Sequence, residues 1–170
     1  LTLLGSQTHA ADQLPVVASF SILGDLVRVV GGERVAVTTL VGPNEDAHAF
    51  EAKPADAKRL LAAKLVVTNG LGFEPWAAKL VKSAGYKGEV VLATRGVNAL
   101  HMKEDNAHDA QAGHAHEELD PHAWQNPNNV VLYVRNIATA LSTVDAAGAS
   151  HYQANAEAYV KELQVLDDWA

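Results

Sequence analysis

The chain has 170 residues, 48% hydrophobic and 19% charged, with a net charge of −7 and no cysteine. That balance describes one globular domain able to bury a core, not a disordered chain. It provides no basic surface for a phosphate backbone, so nucleic acid is not an expected partner, and without thiols any metal must be held by histidine and carboxylate.

Residues 1–11 run from a short apolar start into small residues around Ala10 and Ala11. They are read as the remnant of a secretory signal peptide, which implies a periplasmic protein exported across the inner membrane. No other stretch approaches the ~20 consecutive apolar residues needed to span a bilayer.

Residues 12–144 are read as one α/β lobe, because short β-branched runs alternate with helical patterns. Pro15 to Ser19 is the first predicted strand, followed by a helix over Ser21 to Val30 that stops at Gly31-Gly32. Arg34 to Val41 is the second strand. Pro54 and Asp56 open the next helix, with Leu60-Leu61 as its buried face. Leu65 to Thr68 is the third strand, Glu74 to Ala84 a helix closed by Gly85, and Glu89 to Ala93 the fourth strand. The expected fold class is therefore a mostly parallel four-stranded sheet flanked by helices.

Residues 101–118 are almost wholly His, Asp, Glu, Ala, Gly, Asn and Gln, too poor in large apolar groups to pack, and read as a long loop. Asn126-Pro127 then supplies an N-cap and first turn for a helix to about Ser142, with Val130, Val134, Ile137 and Leu141 on its apolar face. Residues 145–170 carry Tyr152, Ala156, Tyr159, Leu163 and Leu166 at helical intervals. The pattern has no C-cap and is read as a long helix cut short.

The eight histidines matter by placement, five of them lying between His101 and His122. His48 directly follows the second strand, and the carboxyl end of a strand is where ligands collect in an open α/β sheet. His122 follows the loop. Two neutral imidazoles could give a zinc ion half of a tetrahedral set, although spacing alone leaves both open to being ordinary surface residues.

Several motifs in order add to this: Gly42-Pro43, His48-Ala49-Phe50-Glu51, Pro54-Ala55-Asp56, Leu65-Val66-Val67, Asn69-Gly70-Leu71-Gly72-Phe73-Glu74-Pro75-Trp76 and Asp120-Pro121-His122-Ala123-Trp124. Together they resemble the metal-binding solute-binding proteins of ABC transporters, nearest to the periplasmic zinc-uptake (ZnuA) type. The resemblance runs from about Leu14 to Ala170.

It implies that His48 and His122 are metal ligands and that Zn2+ is the transported ligand. It also implies a membrane permease of an ABC transporter as partner, and a monomer. Residues 145–170 become the start of a linking helix to a second lobe, which would supply a further His and usually a carboxylate. Ala47 departs from members that carry a carboxylate just before the first His, although Glu45 and Asp46 are close by. His101, His108, His114 and His116, interleaved with acids, resemble the His- and acid-rich loop of zinc-type members. They are read as auxiliary weak metal ligands, with a solvated linker as the alternative. His9 and His151 read as surface residues, Trp76 and Trp124 as packing residues.

Two other readings stay open. A manganese- or iron-binding member of the same family would carry much of the same pattern. A zinc-dependent hydrolase needs local ligand pairs such as His-Glu-x-x-His, and His116-Glu117-Glu118 lacks the second His. The protein is therefore expected not to be an enzyme.

Overall fold

The computed structural model of the chain describes residues 13–102 and 119–169. The predicted signal remnant and the candidate ligands His108, His114 and His116 lie outside the described residues.

Four parallel strands form one sheet in the order β2-β1-β3-β4: β1 Leu14–Phe20, β2 Val35–Val41, β3 Leu65–Thr68 and β4 Glu89–Leu92. Val16 pairs with Val37 of β2 and with Leu65 of β3, and Val66 pairs with Val90. The central strands read Leu-Pro-Val-Val-Ala-Ser-Phe and Leu-Val-Val-Thr. They are apolar at consecutive positions because helices cover both faces of a parallel sheet.

Among the described residues five α-helices accompany the sheet: α1 Ser21–Gly31, α2 Pro54–Ala62, α3 Pro75–Ala84, α4 Pro127–Val144 and α5 Ala149–Trp169. From β1 the chain steps to β2 on one side, then crosses to β3 and β4 on the other. Right-handed crossovers therefore put α1 on one face and α2 and α3 on the opposite one. The contacts agree, since α2 meets α3 while α1 meets α4 and α5. Tyr133, Ile137 and Leu141 of α4 and Tyr152 of α5 are fully buried in this layer.

The ends of the helices follow from local chemistry. Asn126 accepts the backbone N–H of Asn128 at 2.9 Å to cap α4, and Asp56 accepts that of Lys53 at 2.8 Å at the start of α2. Gly85 ends α3 in the left-handed conformation that a Cβ disfavours. At the junction of α4 and α5, Asp145 accepts from Arg34 at 2.9 Å and from the Tyr152 hydroxyl at 2.6 Å.

The sequence expectations hold for each element, with differences in detail. Arg34 belongs to a short 3-10 turn, not to β2. Leu61 is 54% exposed, because the narrow stripe that α2 buries holds Asp56 and Leu60 only. In α5 the buried seam is Tyr152, Ala156, Val160 and Leu163, and Leu166 faces outward. The last segment begins as a 3-10 turn, Ala146–Gly148, before α5 proper.

Candidate metal centre

The carboxyl ends of β1, β2 and β3 converge on one crevice. Because the chain leaves β1 toward β2 and later returns to β3, this is the switch point of the sheet, where the strand-end loops diverge and leave room for a ligand. His48 arrives on the segment after β2. His122 arrives just before a 3-10 turn, Ala123–Gln125, that leads into α4.

The two histidines, 74 residues apart in sequence, bring their Nε2 atoms to 3.2 Å from each other. A matching local device presents each one. Asp46 Oδ1 accepts the backbone N–H of His48 at 2.8 Å, and Asp120 Oδ1 accepts that of His122 at 2.9 Å. An aspartate that bonds the backbone two residues on closes a tight turn without help from secondary structure.

Asp120 does more. The same oxygen lies 2.8 Å from Nδ1 of His122. A carboxylate accepts, so Nδ1 carries the proton and Nε2 turns a lone pair toward His48. In return the hydrogen bonds from the His122 backbone and ring hold the Asp120 carboxyl below the usual carboxylate range.

Aromatic rings form the floor. Phe73, 5% exposed, meets the His48 ring edge-on with centroids 4.4 Å apart and the His122 ring at 5.7 Å. Trp124 lies 4.8 Å from Phe73 and 5.3 Å from His122, and Phe20 lies 4.8 Å from Phe73. These contacts restrict both imidazoles from below. Above, His48 and His122 line a cavity of about 270 Å³ together with Ser21, Asn44, Glu45 and Trp124.

This geometry fits a transition metal. Two ligands on a tetrahedral ion with bonds of about 2.0–2.1 Å stand about 3.3 Å apart. A right-angled pair with slightly longer bonds spans nearly the same distance, so the separation accommodates an octahedral ion as well. Among the described residues no group of three or more His, Cys, Asp and Glu side chains is placed to hold a metal ion. Glu45 is occupied by the backbone N–H of Gly42 at 2.6 Å, and Asp46 by His48. The pair therefore offers part of a coordination sphere.

Of the other candidates, His101 forms an antiparallel bridge with Leu119, on either side of residues 103–118. His151 contacts Asn155 at 3.1 Å on α5. The sequence alone places Asp46 near the first His without a role, and gives Asp120 and Phe73 none beyond the motif. The signal was present in the repeated Asp-Xaa-His of Asp46-Ala47-His48 and Asp120-Pro121-His122.

Residues 16–170 match the family model of ZnuA, zinc-uptake complex component A, periplasmic. The chain belongs to the ZnuA family. Within it, the chain is 38% identical over 156 residues to the manganese-binding lipoprotein MntA of Halalkalibacterium halodurans, covering 92% of this chain and 48% of that protein. It is 33% identical to the manganese ABC transporter substrate-binding lipoprotein PsaA of Streptococcus pneumoniae, covering 97% of this chain and 53% of the other. The crystal structure of Zn(II)-bound AdcA from Streptococcus pneumoniae superposes with a TM-score of 0.76 at 25% identity, covering 92% of this chain and 32% of AdcA. The chain spans about half the length of the curated relatives it matches. The fold is that of ZnuA-family solute-binding proteins; MntA and PsaA are both named for manganese, PsaA as an ABC transporter substrate-binding lipoprotein, and the AdcA structure holds zinc.

Proposed function

We propose that this chain forms the metal-capturing face of an extracytoplasmic solute-binding protein, with His48 and His122 binding a divalent transition metal through Nε2 and the ion passing on to a membrane permease. The single observation behind this reading is the 3.2 Å approach of two imidazole nitrogens at the switch point of the sheet. Asp120 supports it by fixing the ring of one of them. The reading requires further ligands, since no group of three or more His, Cys, Asp and Glu is placed to hold a metal among the described residues. Capture and release is preferred to hydrolysis because the relative PsaA is named an ABC transporter substrate-binding lipoprotein.

Zinc is the proposed cargo. Two imidazoles favour zinc over manganese on ligand softness, and the histidines of residues 101–118 favour it in the same way, while the acids among them attract any divalent cation. Manganese is the second reading, because the relatives at 38% and 33% identity are both named for manganese.

The chain is equilibrated with zinc and with manganese in about hundredfold excess over the zinc, then gel-filtered and analysed for bound metal, so that the excess offsets the general preference of N/O sites for zinc. Zinc retained alone, and lost on replacing His48 and His122, supports the first reading. Manganese retained at that ratio, and lost in the same variants, rejects it in favour of the second.

A further inference from the structure

Both histidine turns are tied to one segment, residues 69–76. Trp76, in the first turn of α3, donates its indole N–H to the carbonyl of Ala47 at 2.7 Å. Asn69, just past β3, donates its side-chain amide to the carbonyl of Pro121 at 2.9 Å. Ala47 and Pro121 are the residues immediately before His48 and His122. Between these anchors, Phe73 lies beneath both rings.

The segment is itself braced. Gly70, Leu71 and Gly72 have φ of 89°, 55° and 77°, so three successive residues adopt the left-handed region, and one of them bears a Cβ. Glycine adopts that region freely, so the strain falls on Leu71, which keeps it only where the surroundings determine it. Here the Glu74 carboxylate folds back to accept the backbone N–H groups of Asn69 and Gly70, and it also takes the Ser19 hydroxyl at 2.9 Å. Asn69 is fully buried. Its side-chain oxygen accepts from the Tyr133 hydroxyl at 2.7 Å, and its backbone carbonyl from the Thr94 hydroxyl at 2.5 Å. A Cβ on Gly70 would come within 2.9 Å of the Thr94 hydroxyl oxygen, which closes the space around the turn.

We infer that residues 69–76 act as a bracket that sets the separation of the two imidazoles, with Trp76 positioning His48 and Asn69 positioning His122. The inference rests on the reading of these histidines as metal ligands. The carbonyl before each histidine and the histidine's own N–H belong to one peptide unit, so the bond from residues 69–76 and the bond to the aspartate hold opposite edges of the peptide plane from which the side chain departs. Ring direction is then set from both sides, and metal affinity is governed by residues that never touch the metal. Tyr133 reaches the site through Asn69, and so links the core of α4 to the orientation of His122.

The chain labelled with 15N at histidine and titrated with zinc chloride tests this, since each imidazole is read separately and zinc bound elsewhere does not interfere. In the unaltered chain, zinc moves the signals of His48 and His122 together. Trp76→Phe keeps a buried ring and removes one N–H; it is expected to weaken zinc binding about tenfold and to displace the bound-state signals of His48. Asn69→Ala acts in the same way on His122. Tyr133→Phe, which frees only the Asn69 oxygen, disturbs the same ring less and keeps the result readable should Asn69→Ala fail to fold. A purely structural role would disturb both histidines alike. The bracket is overturned if folded Trp76→Phe and Tyr133→Phe bind within about twofold of the parent, or if each variant perturbs both rings equally. Zinc that moves neither histidine in the unaltered chain overturns the ligand reading and the bracket together. A normal parent with parent-like variants overturns the bracket alone.

Discussion

Asp120 Oδ1 receives both the backbone N–H and the ring Nδ1 of His122, at 2.9 and 2.8 Å, whereas Asp46 serves His48 through the backbone alone. One carboxylate thus closes a turn and selects a tautomer, and the other only closes a turn. Asp120→Ala is accordingly expected to lower zinc affinity about 10- to 100-fold, and Asp46→Ala by clearly less. Titration calorimetry on the two variants checks the order; equal losses would mean that the Nδ1 contact contributes nothing.

Phe73 separates packing from positioning. Its ring is buried against Phe20 and Trp124 as well as under both histidines. Phe73→Ala removes that volume and should destabilise the fold by about 3–5 kcal/mol. Phe73→Leu retains most of it, so stability should fall by less than about 1.5 kcal/mol while zinc affinity still drops, because Leu has no edge to direct the imidazoles. Denaturant unfolding and zinc titration of the same samples distinguish the two effects.

Stability should depend on pH through two carboxyls of opposite sign. The hydrogen bonds from Tyr152 and then Arg34 hold Asp145 below the usual carboxylate range. Its contribution is present above the unfolded value of about 3.9 and is lost as pH falls through the lower folded value. Burial pushes Glu74 up, against the hydrogen bonds from Asn69 and Ser19 that favour its charge. Its contribution is present below the unfolded value of about 4.3 and is lost as pH rises through the raised one. Asp145→Asn should therefore flatten the acid limb of a stability-against-pH curve, and Glu74→Gln the limb on the other side. Thermal melts across pH check both signs.

Much of the architecture was legible because strands and helices here are set by local signals. Val16 to Ala18 and Leu65 to Val67 are apolar at consecutive positions, and Pro54, Gly85 and Asn126-Pro127 mark ends that the structure keeps. Leu61 and Leu166 were misjudged because a 3.6-residue period places two neighbours near a buried stripe, and only the packed partners decide which is covered. The approach of His48 to His122 is a tertiary relationship across 74 residues, and family resemblance suggested it where spacing did not. Trp76 was read as a packing residue. It is one, at 9% exposure, but its hydrogen bond to Ala47 depends on the placing of a loop that no pattern in the sequence encodes.

The central claim is that His48 and His122 bind one metal ion together. Zinc titration of the chain by calorimetry, with His48→Ala, His122→Ala and the double variant, tests it most directly. If the two rings share an ion, each single replacement should remove most of the affinity of the shared site, by about tenfold or more, and the double variant should lose little beyond either one. Unchanged affinity in either single variant, or losses that simply add, would contradict a shared ion.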